Sequence, residues 1–586
     1  MIQSLPADAQ TTPIRYTLRF PAPQTHMVEV SAEVPAGQPA VELLMAVWTP
    51  GSYMVREYSR NVEAVRATAP DGRVLSVRKS DKNRWRVETG GVPSFTLAYR
   101  VYGREMTVRN NWIDSSVAFL NGAPTYLTLA DGRVRPHEVT IVPPAGWARV
   151  VTALDQLEGA PHRFVAPDFD TLVDSPILAG NPTVVTFEVD GRPIALATHG
   201  DAGQFDHVRA AKDLEKIVRE HAKLWGGLPF RKYVFLNILT LPPGQGGGGL
   251  EHGSSVAMMD SKFASRARQS YVSWLELASH EFFHAWNIKR LRPVELGPFN
   301  YERENLTRSL WIAEGITDYY GELLVRRAGL STPDEYLVTL SNKIEDLQGM
   351  PGRLVMSVEQ ASFDAWIRYY RPDENSPNVA ISYYTKGAVL GFLLDARIRT
   401  VTRGAKSLDD VMRAAYARYS GAKGYTPDEF RAVAEEVAGT SLRSFWAAYV
   451  EAPGEIDYNE ALETFGVRFR QPDGAGRAWL GVSTRNDAGR LLVTQVRRGT
   501  PAYDAGLNVD DEILAVDEVR VRADRWDGRL AQQVPGDVVT LLVARRDELV
   551  RITATLGTDP GRWFRLELQP TLSDAQRATM AHWMGV

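Results

Sequence analysis

The chain has 586 residues, a formal net charge of −4, 44% hydrophobic and 24% charged residues, and no cysteine. That length suggests roughly three to five domains, and the near-neutral charge gives no general pull on nucleic acid or anionic membranes. The lack of cysteine excludes disulfides, thiolate metal ligands and thiol catalysis. No run of ~18 apolar residues is present to span a membrane. The opening MIQSLPADAQ has neither the charged nor the apolar region of a signal peptide. A soluble protein is expected, cytoplasmic, or periplasmic or secreted if a signal has been removed.

Residues 1–195 carry short alternating stretches, among them IRYTLRF (14–20), VELLMAVW (41–48), FTLAYRVY (95–102) and TVVTFEV (183–189), separated by Pro/Gly/Asp turns. They predict an antiparallel, sandwich-like β domain. The period changes near 205, where FDHVRAAKDLEKIVREHAKLWGG (205–227) predicts an amphipathic helix ending at a glycine pair. A strand, KYVFLNILTL (232–241), and a glycine-rich loop follow. The run Gly246–Gly249 is not a phosphate loop, because no Lys-Ser/Thr and helix come after it. Helical patterns dominate from 271 to about 450, and strands return in a compact unit from about 475. The fold class is therefore multidomain α+β, divided as 1–195, 196–330, 331–470, 471–560 and a tail over 561–586 that is expected to pack back on the body.

HEFFH (280–284) lies in a helical pattern, so His280 and His284, four apart, share one face and can share one metal. Glu281 stands beside them, placed to take a proton from the attacking water. Chance produces such a pentad in a chain of this composition about once in fifty. A catalytic zinc usually has three protein ligands, and WIAEGITDYYGELL (311–324) offers Glu314 on a second helix with apolar, aromatic flanks. A carboxylate buried there needs a partner, and a metal would serve. The ligand set is read as His280, His284 and Glu314, holding one zinc ion. Asp318, one turn on, can accept the second N–H of a ligand histidine and hold its tautomer.

WIAEG resembles the W-x-x-E-G segment of the aminopeptidase N group, in which the Glu is the third zinc ligand. The longer string HEFFHAWNIKRLRP (280–293), with the C-terminal unit below, is similar to the glycyl aminopeptidase family of gluzincin metallopeptidases. The resemblance implies a thermolysin-like catalytic domain over 196–330 and a helical domain over 331–470 that completes the active site. GGLEH (248–252) resembles the G-x-M-E-N strand of these relatives, departing at Leu250 and His252. It implies that Glu251 binds the free α-ammonium of the substrate; the alternative is an ordinary loop acid. YTKG (384–387) resembles their Y-x-K-G segment, which makes Tyr384 the donor to the oxyanion, with Tyr383 as competitor. A preference for small first residues, glycine and alanine, is likewise an implication of the resemblance.

Lys289, Arg290 and Arg292 follow the histidine helix and could bind carboxylates or, the preferred reading, cap the helix C-terminus. AWLGV (478–482) and RGTPAYDAGLNVDDEILAVD (498–517) resemble the carboxylate loop and central segment of PDZ domains. Such a unit over 471–560 would take a peptide C-terminus as an added strand, or would serve packing or regulation alone. The expected function is hydrolysis of the N-terminal residue of peptides. Two alternatives stand beside it: a zinc endopeptidase with PDZ-recruited substrates, and an inactive peptide-binding scaffold. Oligomeric state is not legible.

Overall fold

The computed structural model describes residues 12–242, 245, 247–470, 476–559 and 564–585. The N-terminal MIQSLPADAQ, Gly246 of the glycine run, and Trp563 and Val586 of the C-terminal tail lie outside the described residues. The chain divides into two compact units, one of residues 1–306 with 415–425, the other of residues 307–414 with 426–586.

In the first unit, residues up to 181 build an eleven-stranded and a four-stranded sheet. The strand Ser94–Tyr102 shows why: its burial alternates strictly, with Phe95, Leu97, Tyr99 and Val101 inward and the residues between them facing out. The two sheets share one core, since Ile113, Ala118, Leu120 and Ile177 of the smaller sheet join Leu18, Val30 and Leu97 of the larger. The sandwich-like β reading holds, with one parallel pair in it, Ile14–Arg19 beside His137–Val142.

A second, five-stranded sheet follows, made of β1 (Thr183–Val189), β2 (Arg192–His199), β3 (Tyr233–Leu241), β4 (Gly248–Glu251) and β5 (Ser255–Ser261), in the order β1-β2-β3-β5-β4. Here the structure corrects the sequence reading. TVVTFEV belongs to this sheet and not to the N-terminal sandwich, so a boundary at 195 cuts through β2. Alternation identifies a strand but not its neighbours, and β2 finds its partner in β3, beyond a helix. That helix, α1 (His207–Trp225), starts where the Asp206 side chain accepts the Arg209 N–H and stops at Gly226, whose φ of +80° suits glycine. The histidine helix, α2 (Arg268–Phe283), lies across the same sheet. Its ring Phe282 packs on Tyr233 and Phe235 of β3.

The second unit is helical at first. One turn of π-helix, Trp311–Gly315, runs into α3 (Ile316–Arg327). There follow α4 (Pro333–Gln348), opened by a Thr332/Glu335 capping box, and α5 (Tyr383–Val401). The strands between Val482 and Thr555 form a separate six-stranded sheet around Leu491, Val493, Ile513, Leu541, Val543 and Ile552. The last helix, α6 (Asp574–Met584), returns to this unit as the sequence suggests. Its Trp583 is fully buried, stacks on Phe465 at 4.0 Å and donates its indole N–H to the Tyr319 hydroxyl at 2.9 Å. Because that hydroxyl in turn donates to Asp395, the tail closes a buried polar network. Trp583→Ala is expected to lower the stability of this unit by about 3–5 kcal/mol, read as an earlier midpoint in denaturant unfolding. A loss under about 1 kcal/mol would show that the tail is dispensable.

Candidate metal centre

In the first unit, α2 is held on three sides before its histidines are reached. Trp274 donates its indole N–H to Asn237 of β3 at 3.1 Å, and Tyr271 donates to Asp213 of α1 at 2.9 Å. His221 of α1 sits 3.1 Å from the Ser279 carbonyl. All of these groups are buried, so the helix cannot roll without breaking them. His284 follows the last residue of α2, and its Nδ1 lies 3.0 Å from the Asn287 carbonyl. A carbonyl only accepts, so Nδ1 carries the proton and Nε2 is left as a lone pair. That Nε2 stands 3.1 Å from His280 Nε2. Two imidazole nitrogens bound at 2.0–2.1 Å to one tetrahedral zinc lie roughly 3.3 Å apart. The pair therefore fits the ligand edge of a zinc site, with the tautomer of His284 already set for it.

Glu281 and Glu251 join these histidines. One ligand atom from each of Glu251, Glu281 and His284 lies within 4.8 Å of the others. Glycines make the space. A Cβ on Gly249 of β4 would stand 2.2 Å from the Glu281 carboxylate, and one on Gly51 would stand 2.5 Å from that of Glu251. Gly51 belongs to the polar turn TPGSYMVREYSRN, so the N-terminal domain does reach this site through its backbone. Glu251 is 3% exposed, and its buried Oε1 makes no hydrogen bond among the described residues.

Asp174, which no motif in the sequence marks, ties the surrounding segments together. Its carboxylate accepts from His252 at 3.0 Å, from the Gly253 N–H at 2.7 Å and from Lys289 at 2.8 Å. It thus fixes both the residue after Glu251 and the segment after α2. Burial by itself would raise this carboxyl, but Lys289 and His252 outweigh it and pull it down to about 2. Arg290 donates to the Ala285 carbonyl at 2.5 Å, just beyond the C-cap of α2, and to the Gly253 carbonyl at 3.0 Å, while Lys289 pairs with Asp174 rather than with the helix end.

In the second unit, Glu314 sits in the π-helical turn and is 1% exposed. Widened turns of this kind recur at functional sites. The two motif glycines explain each other. A Cβ on Gly315 would stand 2.4 Å from Gly387 Cα, and one on Gly387 would stand 2.7 Å from the Trp311 carbonyl, so the π turn and α5 touch backbone to backbone. That contact brings Tyr384 beside Glu314. Burial, and then the Glu314 carboxylate, push the Tyr384 phenol well above its usual range and keep it protonated. Both Tyr383 and Tyr384 pack on Tyr369, but Tyr383 is fully buried whereas Tyr384 keeps some exposure. Asp318 pairs with Lys343, which also pairs with Glu322 at 2.9 Å.

The first unit thus gathers His280, Glu281, His284 and Glu251, and the second gathers Glu314 and Tyr384. Sequence reasoning missed Asp174 and the pairing of Gly315 with Gly387, which only a folded chain reveals. It missed the role of Gly249 although the glycine run was in view.

The N-terminal domain model of peptidase M61 matches residues 15–181, the M61 glycyl aminopeptidase model residues 273–390, and a PDZ domain model residues 478–556. The crystal structure of an aminopeptidase N family protein from Idiomarina loihiensis superposes with a TM-score of 0.91 at 28% identity, over 97% of this chain and 100% of its own. An M1 zinc metallopeptidase variant from Deinococcus radiodurans, bound to a Tyr-Ser-Ala substrate, aligns over 76% of this chain and 95% of its own, with a TM-score of 0.46 and 13% identity. No curated protein sequence matches this one. No described helix is long and apolar enough to cross a membrane.

Two outcomes follow from the geometry. Asp174 has a depressed carboxyl, so its ion pairs stabilise the fold above pH ~4 and are lost as pH falls from there towards 2. Wild type should exceed Asp174→Asn by about 2 kcal/mol near neutrality, with the gap closing across that window in denaturant titrations. Gly387→Ala should cost about 1–3 kcal/mol by prying the π turn from α5, and an unchanged unfolding midpoint would contradict that contact.

Proposed function

We propose, from the peptidase M61 N-terminal and M61 glycyl aminopeptidase models that match this chain, that it is a zinc aminopeptidase that removes small N-terminal residues from peptides. His280, His284 and Glu314 are the ligands in this reading: two neutral imidazoles and one carboxylate, a donor set suited to catalytic zinc. The 3.1 Å approach of the two Nε2 atoms supports it from within the first unit. Bound zinc would supply Lewis acidity to the scissile carbonyl and to the attacking water.

Glu281, buried beside the histidines, takes the proton from the attacking water and delivers it to the leaving amine. Tyr384, kept protonated, donates its O–H to the oxyanion in preference to fully buried Tyr383. Asp318 steadies a ligand histidine. The observation that carries aminopeptidase over endopeptidase is Glu251, whose buried carboxylate oxygen makes no hydrogen bond among the described residues. Such a group is costly unless a cation arrives, and an α-ammonium meets that need while limiting cleavage to the first bond. Substrates are peptides with a free N-terminus, and the PDZ domain is the place for a peptide C-terminus.

A panel of aminoacyl anilides beside their N-acetylated analogues tests the reading. Free glycyl and alanyl compounds should be cleaved and acetylated ones left intact; cleavage of blocked peptides would establish an endopeptidase instead. Glu281→Gln should retain zinc while losing about 10²–10⁴ in kcat, whereas Glu314→Gln should lose zinc as well, both measured by metal analysis. A wild-type protein that binds zinc and cleaves nothing in the panel would point to the scaffold.

A further inference from the structure

A cavity of about 370 Å3 opens in the first unit, and none of His280, Glu281, His284 or Glu251 lines it. Its walls carry five cations, Arg231, Lys232, Lys289, Arg290 and Arg292, against three carboxylates, Asp155, Asp170 and Asp174. The carboxylates are already engaged. Asp155 pairs with Arg231, Asp174 with Lys289 at 2.8 Å, and Asp170 accepts from the Tyr301 hydroxyl at 2.7 Å.

Three of the cations make no ion pair among the described residues. Lys232 donates to the Leu154 carbonyl at 2.6 Å, and Arg290 donates only to backbone carbonyls. Among the described residues the Arg292 guanidinium makes no hydrogen bond or ion pair, although its charge acts on Asp170. Its guanidinium lies flat against Gly297, where a Cβ would stand 2.2 Å from Cζ. Burial lowers the affinity of both Lys232 and Arg290 for their protons, against the opposing pull of Asp155 on Lys232 and of Asp174 on Arg290. The backbone that presents them is strained: Ile288, a β-branched residue, holds a φ of +96° between α2 and Lys289. Thr171 and Ser175 also line the cavity.

We infer that this cavity is a binding site for a small oxyanion, a carboxylate or phosphate group held by Arg292, Arg290 and Lys232. Planar guanidinium groups match either anion with paired N–H donors. None of His280, His284 and Glu251 lines this cavity. An occupant would tie the segment after α2 to residues 171–175 and to Gly253 and Ser254, all of which border the cavity.

Isothermal titration of the full chain with inorganic phosphate and, separately, with succinate tests this at constant ionic strength. Saturable binding of at least one anion is expected, weakened at least tenfold in Arg292→Ala and partly recovered in Arg292→Lys, with tighter phosphate or tighter succinate naming the source. Should Arg292→Ala fail to fold by circular dichroism, Lys232→Gln supplies the same comparison. Absence of binding to both anions overturns the inference, as does binding that Arg292→Ala and Lys232→Gln leave unchanged. The latter result would place the anion elsewhere, including on a bound metal.

Discussion

The convergence of His280 and His284 depends on α2 being unable to move. Two histidines four residues apart share a helix face in any helix, but ligand geometry tolerates only tenths of an ångström. The buried bonds from Trp274 to Asn237 and from Tyr271 to Asp213 take up the helix's rotational freedom, and Phe282 presses it on β3. Beyond the helix end the Asn287 carbonyl fixes one ring's tautomer. Everything proposed for the metal follows from that rigidity.

A second constraint is crowding. Carboxylates are brought close to the histidines by deleting side chains opposite them, so Gly249 accommodates Glu281 and Gly51 accommodates Glu251. In the second unit the same device places Tyr384 near Glu314, through the contact of Gly315 with Gly387. In each case the conformational cost of glycine is offset by a backbone approach that no other residue permits.

Charge is organised around Asp174 and the cations after α2. One carboxylate satisfies His252, the Gly253 N–H and Lys289 together, which links the β4–β5 turn to the segment following the histidines. Arg290 holds the turn just beyond α2 through the Ala285 carbonyl. The Arg292 guanidinium completes the run with no hydrogen bond or ion pair among the described residues, in a cavity whose walls carry five cations against three carboxylates.

The sequence by itself supplied the candidate chemistry and the strand pattern: His280, Glu281 and His284 at helical spacing, Glu314 among apolar and aromatic neighbours, and the alternating strands of the N-terminal domain. Those are local patterns, in which side-chain period and residue type carry the information. It also showed where the PDZ domain lies, because turn residues and strand periods recur there in order. Only the tertiary structure decided that Thr183–Val189 joins the sheet under α2, that Asp174 rather than a motif residue ties the segments around Glu251, and that Tyr383 is packed while Tyr384 is partly open. These depend on contacts between residues tens to hundreds of positions apart, and no local period records which distant surface a strand edge, a carboxylate or a glycine will meet.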